Sequence, residues 1–161
     1  MVPEPPWPPE LIPLASCGGS WTKYCETIYA EFRRDFVSSR GRFLGKHVGI
    51  SKRMIEGKEA AFWHCISEGK VEEDRVPDMR RCERIRWPRG LIDAVGTGRV
   101  KWWKERDGSR CRSYVALPDF SYLVVMEEAA THFLMVTAYP IEQPHAQRKL
   151  GKRYADATEK G

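Results

Sequence analysis

No apolar run in the chain approaches the roughly 20 residues that a membrane-spanning helix needs, so no membrane partner is expected. The opening stretch, MVPEPPWPPELIP, lacks the basic start and apolar centre of a secretory signal, which makes a cytoplasmic location the expectation. Five cysteines, Cys17, Cys25, Cys65, Cys82 and Cys111, show neither a CxxC pair nor a Cys/His ligand spacing. The four histidines stand alone, so a zinc site is disfavoured, no metal or cofactor is expected, and the thiols read as free. GxxxxGK[ST], GxGxxG and GxSxG are all missing, which leaves nucleotide-fold and hydrolase-elbow chemistry without a motif.

What is present suits one domain. At 161 residues the chain is long enough to bury a single core. Prolines 3, 5, 6, 8 and 9 bar helix and inner strand at the start, so residues 1–20 read as a Pro-rich tail and residues 21–161 as the folded α+β domain. After Ser20, a fitting N-cap, Trp21, Cys25, Ile28, Phe32 and Phe36 fall on one helical face and predict a helix over 21–37. A short helix is expected over 58–67 and another over 88–95, with a short strand near 47–50. From residue 99 the stretches RVKWWKE, RCRSYVAL, SYLVVMEE and THFLMVTAY are β-branched and aromatic, separated by RDGS, PDF and EAA. They predict a four-stranded antiparallel meander. Pro144 then opens a terminal helix with Ala146, Leu150, Tyr154 and Ala157 as its apolar stripe. The expected order is therefore N-terminal helices, a meander sheet and a C-terminal helix.

Charge is concentrated in one region. Between Arg80 and Arg112 stand eleven Lys or Arg against four acids, a balance that suits a polyanionic partner, although solvated charge on a helix surface explains such runs as readily. Within it, RRCERIRWPR brings Arg84, Arg86 and Arg89 beside Trp87, a combination able to bind phosphate and stack a base.

The second concentration lies where the last strand meets the last helix, in LMVTAYPIEQPHAQRKL. Strand alternation puts Phe133, Met135, Thr137 and Tyr139 on one face. His145 falls in the first helical turn, where unpaired N–H groups favour an anion, and Lys149 follows on a flanking face. A neutral imidazole can take a proton, a hydroxyl can donate a hydrogen bond, and Arg or Lys can hold a phosphate. Those roles suffice for metal-free cleavage of RNA by its own 2′-OH. Each residue also has an ordinary explanation: Thr and Tyr are common in strands, and His145 suits an exposed helix start. His64, in AFWHCIS, is either a satisfied core histidine or an imidazole at a cleft edge.

The helical first half, the meander and the segments FWH, ERIRW and TAYP…H resemble the barnase–EndoU–colicin–RelE-like superfamily of small metal-independent nucleases, in its phage- and prophage-encoded branch. The resemblance implies an endoribonuclease of toxin or phage-effector type, with RNA as substrate and an antitoxin or immunity protein as a further partner. It implies that His64, Arg84 or Arg86, Thr137, Tyr139 and His145 converge on the sheet, with base and acid unassigned. The alternative is a non-catalytic module that binds nucleic acid or protein through the Arg/Trp segment. The two differ in whether proton-transfer groups and cations meet around one phosphate.

Overall fold

The computed structural model describes residues 4–159 and is α+β. Helix α1 (Trp21–Arg33) is capped by the Ser20 hydroxyl, which accepts from the Lys23 amide at 3.3 Å, and runs on into a π-helical turn, Arg34–Ser38. Its buried stripe is Tyr24, Cys25, Ile28 and Phe32, continued by Phe36. Trp21 is 37% exposed, and Tyr24 takes its place in the stripe where the incoming tail packs: the Tyr24 hydroxyl donates to the Ile12 carbonyl at 2.6 Å. Residues 4–20 are thus laid against the domain, and Trp87 Nε1 donates to the Pro9 carbonyl at 2.7 Å.

Two short strands follow, β1 (Arg42–Phe43) and β2 (Lys46–Gly49), then a small hairpin of β3 (Met54–Ile55) and β4 (Lys58–Glu59). Helix α2 (Ala60–Ile66) begins two residues later than its sequence suggests, because Lys58 and Glu59 are paired in that hairpin. A second small ribbon joins β5 (Ser67–Glu68) to β6 (Val76–Pro77). The Arg-rich stretch forms two short helices, α3 (Met79–Glu83), capped by Asp78, and α4 (Trp87–Asp93), with Pro88 in its first turn.

The meander is present as β7 (Lys101–Asp107), β8 (Arg110–Ala116), β9 (Tyr122–Glu128) and β10 (Phe133–Pro140). The first turn uses Gly108 at φ 62°. The full sheet is larger than a four-stranded meander and mixed, in the order β1-β2-β10-β9-β8-β7, with β2 parallel to β10 and every other neighbour antiparallel. It curls until Phe43 on one edge strand meets Trp102 on the other, ring centroids 5.5 Å apart. One face holds the main core with α1, α2 and α4; the other holds Trp103, Tyr114, Leu123 and Val125 beneath α5 (Pro144–Glu159), whose Leu150 is buried. No helix among the described residues is long and apolar enough to cross a membrane.

Strand β10 does not alternate throughout. Its register slips between Met135 and Thr137, so that Phe133, Met135 and Ala138 enter the main core while Tyr139 packs against the second cluster. Thr137 and Tyr139 therefore leave the face that simple alternation gives them with Phe133 and Met135. Only Phe133 and Leu134 pair with β2, so the rest of that edge is open, the usual setting for a bulge.

Candidate functional site

The open edge of β10 faces the C-terminus of α2, and the site is built there. A helix end leaves carbonyls without partners, and two arginines and a threonine supply the donors. The His64 carbonyl accepts from Thr137 Oγ1 at 3.2 Å, Arg75 Nη2 at 3.2 Å and Arg81 Nη1 at 3.3 Å. The Ser67 carbonyl accepts from Arg75 Nη2 at 2.5 Å and Arg81 Nη1 at 2.7 Å. Arg75 also donates from Nε to Ser67 Oγ at 3.0 Å and from Nη1 to the Gly69 carbonyl at 2.7 Å.

Arg81 joins the helix end to the strand. Its guanidinium lies over the Tyr139 ring, 5.2 Å from the centroid, and its side chain is only 14% exposed. Nε faces Asp78 Oδ2 at 3.9 Å and both carbonyl contacts use Nη1, so among the described residues the Nη2 hydrogens remain for an anion placed between α2 and β10. Arg80, next in sequence, pairs with Glu142 in the loop before α5 and ties α3 to the same corner. Beside these groups a cleft of about 500 Å³ is lined by Arg53, Trp63, His64, Ser67, Glu73 and Arg75. His64 is half-buried at its wall rather than enclosed in the core.

Of the residues singled out from sequence, the His64 carbonyl, the Thr137 hydroxyl and the Tyr139 ring are tied to one corner through Arg75 and Arg81, and His64 also lines the adjoining cleft. The sequence offered no way to choose Arg81 from its run. The choice is made by packing: Cys82 and Ile85 are buried, and Arg81, half-buried, reaches the α2 end while Arg80 stays exposed.

The other arginines of that run serve the scaffold. Arg86 turns away to α1, where Nη2 meets Glu31 Oε1 at 3.2 Å and Nε meets Oε2 at 3.3 Å. Trp87 packs its ring on Tyr122 at 5.1 Å and spends its N–H on Pro9. Arg89 binds Asp93 and donates from Nη1 to the Asp35 carbonyl at 2.7 Å, closing the π-helical turn. Arg84 lies over the Trp87 ring at 5.0 Å and donates to the Arg80 carbonyl at 3.0 Å, at the periphery of the corner. His145 and Lys149 stand exposed on α5, and neither makes a side-chain hydrogen bond or ion pair among the described residues. The cation that lies over the Tyr139 ring is Arg81 of α3, not His145 or Lys149 of α5.

The cysteines are free; Cys25, Cys65 and Cys82 are buried, and burial pushes the Cys65 and Cys82 thiols up to about 12. That makes them poor nucleophiles. No group of three or more His, Cys, Asp or Glu able to hold a metal occurs among the described residues. Of proteins already known, no family model, no curated sequence and no solved structure matches the chain.

Proposed function

We propose that the protein is a metal-independent endoribonuclease whose centre is the corner between the end of α2 and the open edge of β10. The observation that supports it most directly is Arg81, held by the His64 and Ser67 carbonyls and by the Tyr139 ring, with donors left over. In that arrangement a phosphodiester binds Arg81. The His64 imidazole, in its neutral form, takes the proton of the 2′-OH, whose oxygen attacks phosphorus. Arg81 stabilises the charge that builds on the phosphoryl oxygens, and the bond to the 5′-oxygen breaks as the Tyr139 hydroxyl gives it a proton. The products are a 2′,3′-cyclic phosphate and a free 5′-hydroxyl. Thr137 positions the α2 end through its bond to the His64 carbonyl.

RNA is then the substrate and the cytoplasm the place of action. A toxin or phage-effector role fits, with an antitoxin or immunity protein that covers the corner as the partner. The decisive measurement is single-turnover cleavage of a labelled RNA in EDTA, with His64→Gln beside the parent. Cleavage should survive the chelator and fall on the order of a hundredfold or more in the variant. RNA binding with no cleavage by the parent would hand the case to the non-catalytic module.

A further inference from the structure

A second cleft lies across the β3–β4 hairpin from the first. It encloses about 590 Å³, and His47 and His132 both line it. They meet there because Phe133 pairs with Val48 in the parallel ladder, so one step back along the same register sets His132 beside His47. Arg42 Nη2 lies 3.4 Å from His47 Nε2, and Thr131 Oγ1 lies 3.2 Å from His132 Nδ1. Arg40 and Lys52 line the same groove, and neither has an ion-pair partner among the described residues. The one carboxylate in the lining, Glu59, is buried and accepts from the Tyr29 hydroxyl at 2.7 Å. The exposed polar groups of the groove are therefore cationic and rich in hydrogen-bond donors, and they stand beside an apolar wall of Val37, Ile50, Met54 and Leu134.

The segment between the two clefts is shared. Ser51, Lys52 and Met54 line the histidine groove, whereas Arg53, Ile55 and Glu56 line the cleft at His64. On β10, Leu134 borders the histidine groove, and Thr137 bonds the His64 carbonyl beside the other cleft. A strand crossing the hairpin would thus pass from one to the other.

We propose that the His47/His132 groove is a phosphate subsite that holds the nucleotides flanking the scissile bond of single-stranded RNA. The assignment rests on the ribonuclease reading of the α2–β10 corner. Two permanent cations, two imidazoles and two hydroxyls suit a run of phosphodiesters, whose contacts position the strand without reading its sequence.

The test compares the parent with a variant carrying Arg40→Gln, His47→Gln, Lys52→Gln and His132→Gln. Anisotropy with non-cleavable 2′-deoxy oligonucleotides of four and twelve residues reads binding, and turnover of an RNA dinucleotide reads the corner alone. The variant should bind the twelve-mer at least roughly thirtyfold more weakly, and its log–log salt slope should be shallower by about 1.4, two contacts at about 0.7 each for a single strand. Tetramer binding and dinucleotide turnover should match the parent. Unchanged twelve-mer affinity overturns the subsite, and so does an equal loss for both lengths, which would mean a distorted corner. A parent that binds the twelve-mer through the groove but never cleaves the dinucleotide sinks the ribonuclease reading and leaves the groove standing as a surface for single-stranded nucleic acid.

Discussion

Tyr139→Phe removes one oxygen and leaves the ring on which the Arg81 guanidinium rests. Because that ring packs in the second cluster, melting should move by less than about 1 kcal/mol, whereas single-turnover RNA cleavage should fall on the order of a hundredfold. Full cleavage by the variant would remove the phenol from the mechanism. Arg89→Ala should behave in the opposite way. It strips the Asp35 carbonyl of its 2.7 Å donor at a half-buried helix end, so stability should drop by about 1–3 kcal/mol while RNA affinity stays at the parent's value. A weaker salt dependence in that variant would return Arg89 to the binding surface. The contrast shows what one letter conceals. Arg81, Arg86 and Arg89 stand in a single basic run, yet one faces the corner, one faces Glu31 and one closes a turn. Local sequence gives an arginine its charge; which neighbour takes that charge is settled by tertiary packing.

The elements were more legible than the contacts. α1, α2, the four long strands and α5 follow from periodicity, capping and turn residues, because each carries a pattern over seven or more residues. β1 and β2 are too short for a pattern, so the parallel pairing that widens the sheet could not be read ahead. The bulge in β10 was equally hidden, since it arises from an edge left open by that short partner. The π-helical turn after α1 offers a test at this scale. Burial there pushes the Asp35 carboxyl up from its ordinary 3.8 to about 6, the nearby Arg34 and Arg89 offsetting only part of the effect. A raised pKa means that the fold prefers the neutral acid. Its contribution is intact below about pH 4 and is lost as pH climbs through about 6. Asp35→Asn keeps the shape without the titration. It should melt with the parent near pH 4, gain on it between about pH 4 and 6, and hold a lead of up to about 3 kcal/mol above that. A lead that is equal at pH 4 and pH 8 would assign the gain to packing instead.

At the scale of the molecule, the curl of the sheet determines how the two clefts are arranged. β1 and β7 are its two ends, five strand steps apart in the hydrogen-bonded order, yet Phe43 and Trp102 meet edge to face across the gap. Phe43 also packs on Phe133 at 4.9 Å, at the point where β10 leaves β2 and its edge opens toward α2. The closure thus fixes the strand that carries Thr137 and begins directly after His132. The main core lies within the curl, so opening the sheet would expose apolar surface along its length. If the contact between the ends is a structural closure, Phe43 and Trp102 must be coupled energetically even though no ladder joins them. Phe43→Leu, Trp102→Leu and the double variant form a cycle in which the large loss from Phe43, which is 1% exposed, cancels. The remaining interaction should be about 0.5–1.5 kcal/mol, the range of an aromatic pair beyond its area. Denaturant melts of the four proteins measure it directly. Additive losses within about 0.3 kcal/mol would mean that the two edges only lie near one another, and that the line from the histidine groove to the α2 corner is held by β10 alone.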